Sequence, residues 1–365
     1  MTPVRRWFLV ALAAALIVAA PVAARLLPAD GSDVSASALR KQIADSRTLA
    51  WSGEVRTRGT LRIPDANSFG GVSKLLGDNN FLRVWWRDPS HWRVDRVRGT
   101  GETDLIRDGG LTTSWVFESE TATITPYSAV RLPDAADLLP SRLAARLLAG
   151  ATTDELSRLP SRRVAGHDAA GLRLVPSDQR STIRHVDVWV DTDTGLPLRV
   201  QAFGADTNRP VVTTEITDLD LTAPATRTTR FAPPPGAKVR ARDTIDVAAG
   251  ANAFAPYILP NRLDGLERHG DTADLGAVGV YGRGPTSIIV IPLRRRLAGQ
   301  VRTQFENGAT THNTAAGTEL RVGPLSVLLT RGGRVAGRFL LAGTVTPETL
   351  DRASAELRRS VVVTE

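Results

Sequence analysis

Residues 81–98 read FLRVWWRDPSHWRVDRVR, and this stretch decides the fold class. Apolar side chains alternate with charged ones in two runs, 81–87 and 91–98, which is the period of a β-strand with one buried face. The residues between the runs, Asp88-Pro89-Ser90, are typical of a tight turn. The stretch therefore predicts an antiparallel β-hairpin that presents large apolar side chains on one face.

The same alternation continues on both sides of this hairpin. A short amphipathic helix ending near Ser46 precedes it, and a Leu-rich helical stretch from Pro133 to Leu159 interrupts the strands that follow. The further predicted strands are 50–63, 103–108, 112–118, 121–125, 128–132, 161–166, 169–175, 182–191, 196–203 and 210–220. We expect a mainly β (α+β) protein built on an antiparallel sheet.

The chain is long enough for two domains, because 365 residues exceed the usual size of one core. The stiff segment Pro233-Pro234-Pro235-Gly236 is the predicted linker. We expect a first domain over 31–236 and a smaller β-rich domain over 237–365. In the second domain the predicted strands are 277–283, 286–293, 318–323, 325–331 and 335–345.

Three short sequence motifs predict local structure in the second domain. Gly332-Gly333 predicts a tight hairpin between the last two strands. Thr346-Pro347-Glu348 predicts the start of a terminal helix, with Thr as N-cap, Pro in the first turn and an early acidic residue. The basic run Arg294-Arg295-Arg296 is expected to be a solvated strand end.

The N-terminus predicts export from the cytoplasm. Arg5 and Arg6 precede the uncharged run Trp7 to Ala24, and Val22-Ala23-Ala24 supplies the small residues that a signal peptidase requires. The run also lies at the lower limit of a membrane span, so an uncleaved anchor stays open as an alternative. Residues 1–30 are therefore a signal peptide or membrane anchor. We expect an extracytoplasmic protein that is secreted or anchored to the cytoplasmic membrane.

Composition and motifs argue against several classes of function. The net charge is +8, but the arginines are dispersed along the chain, so no nucleic-acid patch is predicted. Cysteine is absent, which excludes disulfides, thiolate catalysis and an N-terminal acylated Cys. The five histidines show no metal-ligand spacing, and no nucleotide-binding or hydrolase motif occurs. We expect neither an enzyme nor a cofactor or metal site.

Several segments in order resemble the LolA/RseB-like family of envelope proteins, which includes the MucB/RseB N-terminal domain. They are DPSHWRVD (88–95), DLIRDG (104–109), WVF (115–117), VAGHD (164–168), LRLVP (172–176), VWVD (188–191) and TGLPLR (194–199). The resemblance covers roughly 36–235. It implies an open antiparallel half-barrel covered by helices around an apolar cavity. Family members hold acyl chains there, as carriers of lipids or lipoproteins or as sensors, and the sensor branch contacts an anti-sigma factor through a second domain.

Large apolar residues of the predicted sheet are the candidate lining of that cavity. They are Leu82, Val84, Trp86, Trp92, Val94, Trp115, Phe117, Val188, Val190, Leu198 and Val200. Any one of these residues is more often part of a core packed beneath the helices, and as a set they are compatible with both interpretations. The expected function is binding of a lipid or acylated protein as a carrier, with membrane association through the N-terminal segment. The alternative is an RseB-like regulatory sensor that binds an anti-sigma factor or another membrane protein through the C-terminal domain.

Overall fold

The structure is a computed structural model. It describes residues 31–61, 70–128, 131–241, 257–269, 277–306, 311–332 and 338–363. The predicted export segment, residues 1–30, lies outside these ranges. Among the helices that the structure does describe, none is both long and apolar enough to cross a membrane.

A twelve-stranded sheet forms the first part of the chain. Its strands are β1 (Trp51–Gly59), β2 (Asn79–Asp88), β3 (His91–Arg98), β4 (Gly101–Asp108), β5 (Leu111–Val116), β6 (Thr121–Pro126), β7 (Leu156–Val164), β8 (His167–Leu174), β9 (Ile183–Asp191), β10 (Pro197–Gly204), β11 (Pro210–Asp220) and β12 (Lys238–Ala241). The order is β12-β6-β5-β4-β3-β2-β1-β11-β10-β9-β8-β7. The two end strands do not pair with each other, so the barrel is open, as predicted.

The hairpin predicted from residues 81–98 is β2 and β3. Val84 pairs with Val94 and Trp86 with Trp92, so the apolar side chains of both strands share one face. The turn is fixed by Asp88, whose Oδ1 accepts hydrogen bonds from the Ser90 amide and hydroxyl, both at 2.7 Å. The sequence prediction is confirmed here in the turn, the facing and the bounds of β3, while β2 is longer than the predicted 81–87.

In the part of the chain that the structure describes, three α-helices accompany the first sheet: α1 (Ala36–Asp45), α2 (Gly70–Gly77) and α3 (Pro140–Leu147). Ser35 caps α1 by accepting a hydrogen bond from the Ala38 amide at 3.2 Å. Leu39 and Ile43 of α1 and Ala144 of α3 pack against the valines of β9. We call the sheet face beneath α1 and α3 the covered face. The Leu-rich helical stretch was predicted from Pro133 to Leu159. The α-helix there is shorter, Pro140–Leu147, and the chain enters β7 at Leu156.

The opposite face of β2–β4 is also sheltered, by the chain that follows β11. A short 3₁₀ helix, Thr226–Thr229, contacts these strands, and the Phe231 ring lies 5.6 Å from that of Trp115. The predicted linker then ends in a turn with Gly236 at a φ of 87°. That turn leads into β12, which pairs in parallel with β6 in the first sheet.

An eight-stranded sheet forms the second part of the chain. Its strands are β14 (Arg262–Leu263), β15 (Leu266–His269), β16 (Gly279–Arg283), β17 (Thr286–Leu293), β18 (Thr311–Asn313), β19 (Gly317–Val322), β20 (Leu325–Thr330) and β21 (Arg338–Gly343). The order is β14-β15-β16-β17-β21-β20-β19-β18. A separate pair joins β13 (Tyr257–Ile258) and β22 (Val362–Val363).

Two helices cover the two faces of the second sheet. Helix α4 (Arg295–Glu306) packs Val301 and Phe305 on one face, and α5 (Pro347–Ser360) packs Leu350 and Leu357 on the other. Thr346 caps α5 through the Thr349 amide at 3.4 Å, which confirms the predicted helix start.

Three predicted local features turn out differently or cannot be followed. The run Arg294-Arg295-Arg296 is solvent-exposed as predicted, but only Arg294 lies at a strand end, because α4 begins at Arg295. The predicted strand 128–132 is absent from the residues described there, 128, 131 and 132. The predicted hairpin at Gly332-Gly333 lies partly outside the described residues.

Candidate ligand site: an arginine-lined cleft beside the apolar interior

Nine of the eleven predicted lining residues lie on the covered face, and each is 5% exposed or less. Trp86, Trp92 and their neighbours pack with Leu139, just before α3, whereas the β9 valines pack under α1. The nine are Leu82, Val84, Trp86, Trp92, Val94, Val188, Val190, Leu198 and Val200. They lie in two packed apolar clusters between sheet and helices, which we together call the interior.

The other two predicted lining residues lie elsewhere. Trp115 pairs with Asp104, while its neighbour Ser114 pairs with Leu105 of the covered face. Trp115 therefore points to the opposite face, where Phe231 covers it. Phe117 begins a 3₁₀ turn after β5 ends at Val116, and it is 67% exposed. Neither residue belongs to the interior, so both predictions are corrected.

A cleft of about 410 Å³ opens beside the interior, between the end of β2 and helix α3. It is lined by Arg47, Trp86, Pro89, Arg107, Tyr127, Ser141, Arg142, Ala145 and Arg146. A smaller space of about 200 Å³ continues from it, sharing Tyr127, Arg142 and Arg146 and adding Arg131, Pro133 and Asp137. We call the two together the arginine cleft. Trp86 is the one predicted lining residue among those that line it.

Aromatic rings form the apolar part of the cleft. Trp86 and Trp92 are parallel, with ring centroids 6.1 Å apart, and the Arg142 guanidinium lies 5.9 and 5.7 Å from the two rings. Arg107 lies 3.4 Å above the Tyr127 ring. These cation–π contacts hold the two guanidinium groups beside apolar surface. The cleft thus combines positive charge with flat apolar walls.

The charges of the cleft are only partly balanced. Arg131 pairs with Asp137 at 2.7 Å and with Asp134 at 2.8 Å, and Arg142 reaches Asp137 at 3.2 Å. Arg47 and Arg146, both exposed, make no ion pair with a described residue. Five arginines against two aspartates leave a net charge of about +3.

The pKa values of two cleft residues report the same positive potential. Burial acts to raise the pKa of Tyr127, but the charges of Arg131, Arg142 and Arg107 outweigh it and lower the pKa. Burial also acts to raise the pKa of Asp137, and the hydrogen bond and charge of Arg131 bring it below its ordinary value. An anionic group that enters the cleft would experience the same stabilisation.

A separate acidic cluster lies on the opposite face of β3 and β4. Ligand atoms of Asp95, Glu102 and Asp104 lie within 4.8 Å of one another. Arg93 donates to Asp95 at 2.7 Å and to Asp104 at 2.8 Å, and Arg83 donates to Glu102 at 2.6 Å. The guanidinium groups already satisfy much of this negative charge, so the arrangement is that of an ion-pair network.

Comparison with known proteins supports the resemblance seen in the sequence. Residues 103–234 match the family model described as the MucB/RseB N-terminal domain, so the resemblance to the LolA/RseB-like family is confirmed. No curated protein sequence matches the chain.

Solved structures that align with the chain include MucB from the Pseudomonas aeruginosa MucA/MucB complex. It is 18% identical, with a TM-score of 0.49, covering 90% of this chain and 99% of that one. A LolA superfamily protein from Nitrosomonas europaea is 14% identical, with a TM-score of 0.26, covering 54% of this chain and 98% of that one.

Proposed function

We propose that this chain is an extracytoplasmic binding protein that holds an anionic amphiphile. Its headgroup occupies the arginine cleft, and its acyl chain lies against the apolar interior, as in a carrier of lipids or acylated proteins. The observation that carries the proposal is the shared position of Trp86, which lines the cleft and packs into the interior. One ligand could thus contact arginines and buried apolar side chains together. The family match supports binding rather than catalysis.

The size and chemistry of the site suit this ligand class. A volume of about 410 Å³ falls within the usual range of about 300–1,000 Å³ for ligand pockets. Arginine binds phosphate and carboxylate groups through two parallel hydrogen bonds, and Arg47 and Arg146 have no ion-pair partner among the described residues. We propose that the acyl chain enters between the covered face and α3. The buried interior residues would then line its binding site.

Mass spectrometry of co-purified lipid tests this proposal. The chain is purified from membranes of the source organism and extracted with organic solvent. The variant Arg146→Glu, which reverses one exposed charge, is treated in the same way for comparison. We expect stoichiometric anionic lipid with the wild type and a large loss with the variant. Wild-type protein that is folded, as shown by cooperative thermal unfolding, but consistently contains no lipid would contradict the carrier function.

A regulatory sensor is the second candidate, and a specific contact favours it. Helix α3 carries Arg142 and Arg146 into the cleft, and the chain just beyond its end reaches the second sheet. The Gly150 carbonyl accepts a hydrogen bond from Arg283 of β16 at 2.8 Å. A ligand that displaces α3 would therefore act on the second sheet, which is the proposed surface for an anti-sigma factor or other membrane protein.

Membrane pull-down separates the two candidates. The immobilised chain, with and without added anionic lipid, is exposed to detergent-solubilised membranes from the source organism. A sensor retains one membrane protein whose recovery changes with lipid, and the variant Arg283→Met weakens that change. A carrier shows lipid binding without a lipid-dependent protein partner.

A further inference from the structure

A pocket of about 310 Å³ lies in the second sheet, far along the chain from the arginine cleft. It opens between β19 and β20 on one side and the first turns of α5 on the other. Its walls are mostly apolar and include Leu320, Val327, Pro347 and Leu350. The polar residues that line it are His312, Glu319, Arg321 and Ser326. No part of the proposed amphiphile site uses these residues.

Several buried polar atoms at this pocket lack partners. Ser326 is only 2% exposed, and its Oγ has no hydrogen-bond partner among the described residues. Oε1 of Glu319 and Oδ1 of Asp351, on the neighbouring turn of α5, likewise accept no hydrogen bond from a described donor. A buried polar atom without a partner costs about 1–3 kcal/mol, so three of them together point to a missing donor.

The two carboxyl groups face each other. Asp351 lies within hydrogen-bond distance of Glu319, and burial together with Asp351 raises the pKa of Glu319. Thr314 and the exposed His312 act in the opposite direction. Arg321 is already paired, because its Nη2 forms an ion pair with Asp206 in the turn after β10. No described arginine or lysine therefore forms an ion pair with either carboxylate, which leaves a proton or an incoming cation to neutralise them.

We propose that this pocket binds a guanidinium or ammonium group carried on an apolar stem. The carboxylates of Glu319 and Asp351 and the Ser326 hydroxyl accept the donors of the cation. Pro347 and Leu350 contact the methylene groups of its stem. An Arg or Lys side chain of a bound polypeptide has this chemistry, and so does a free alkylguanidine. The cation brings donors to all three unpaired acceptors, which a proton cannot do.

The test is an NMR titration of the purified chain with four probes. They are the peptide acetyl-Gly-Arg-Gly-amide, its lysine counterpart, the neutral citrulline counterpart, and n-butylguanidinium. The readout is the amide shift of Leu320 and Leu350. The variants are Glu319→Gln and Asp351→Asn. Glu348→Gln is the matched control, since it removes an exposed negative charge from the same helix outside the pocket.

We expect saturable shifts with the cationic probes and binding that is about tenfold or more weaker with citrulline. Glu319→Gln and Asp351→Asn are expected to lower the affinity for the cationic probes by a similar factor, and Glu348→Gln is expected to leave it unchanged. Tighter binding of the peptides than of n-butylguanidinium identifies a polypeptide source, and equal binding identifies the free cation. Absence of shifts in the wild type, or shifts in both pocket variants that equal those of the wild type, overturns the proposal. A variant that unfolds is replaced by Ser326→Ala, which removes one acceptor without changing charge.

Discussion

Arg283 and Glu155 join the two sheets through a two-pronged ion pair, with nitrogen–oxygen distances of 2.7 and 2.9 Å. Glu155 is only 4% exposed, and its oxygens also accept hydrogen bonds from Thr152 and Ser177. Nearby, Ser181 bridges to Val345, so the contact extends beyond one pair. The connection gives the chain a route by which the first sheet and the second can affect each other.

We predict that Arg283→Ala lowers the free energy of unfolding by about 2–3 kcal/mol, because it removes two charge-assisted hydrogen bonds from a buried carboxylate. Urea unfolding at pH 7 measures the change. Arg209→Ala, which changes an exposed arginine in the loop between β10 and β11, is the control and is expected to change the free energy little. A loss below about 0.5 kcal/mol would show that the pair contributes nothing measurable.

The same pair predicts how stability responds to acid. Burial acts to raise the pKa of Glu155, but the hydrogen bonds from Arg283, Ser177 and Thr152 hold it well below its ordinary value of 4.5. The unfolded chain therefore binds a proton near pH 4.5 that the folded chain still excludes. The contribution is complete above that pH and falls as the pH drops below it. Arg283→Ala should show a shallower loss between pH 5 and 3, and an unchanged slope would count against this assignment.

Asp104 should have the opposite pH dependence. Burial and the charge of Asp95 raise its pKa to about 7, against 3.8 as its ordinary value. The folded chain therefore binds a proton that the unfolded chain lacks, so stability falls as the pH rises from about 4 to 7. We predict that Asp104→Asn removes about 1–3 kcal/mol of this fall. Urea unfolding across that range measures it, with the exposed Asp193→Asn as control. Parallel curves for wild type and Asp104→Asn would refute the prediction.

The position of β12 predicts where the first domain ends. Its residues pair with β6 and the Lys238 amide bonds the Glu120 carbonyl at 2.8 Å, so β12 covers an otherwise free strand edge. A fragment 31–241 should unfold at a higher temperature than a fragment 31–236 and aggregate less. Calorimetry and light scattering compare the two. Equal midpoints would place the boundary at 236, as the proline-rich linker suggested.

Much of the first sheet could be predicted, because strands such as β2 alternate strongly between buried and less buried residues and the turn at Asp88-Pro89-Ser90 has recognisable chemistry. It was harder to predict which face of the sheet the side chains of each strand occupy. Trp115 follows the alternation of β5, but the register with β4 decides which face it occupies, and a shift of one residue reverses that choice. Helix α4 was missed although Leu297, Ala298, Val301 and Phe305 have helical spacing, because the preceding arginines were assigned to a strand end.

The arginine cleft could not be predicted from the sequence. Arg47, Arg107, Arg142 and Arg146 come from three separate parts of the chain, and only the fold places them together. In a chain with dispersed arginines no local pattern distinguishes them. Trp86 carried the one usable signal, since a large ring at the end of an apolar strand is typical of a pocket wall.

Calorimetric titration with two lysophospholipids of the same acyl chain, one anionic and one zwitterionic, tests the central claim most directly. Both are used below the concentration at which they form micelles. We predict that the wild type binds the anionic lipid about tenfold or more tightly, since a headgroup anion gains charge-assisted hydrogen bonds in the arginine cleft. Arg146→Glu should lose this preference, and Arg209→Glu should keep it. Equal affinity for the two lipids, or a preference that survives in Arg146→Glu, would contradict the account.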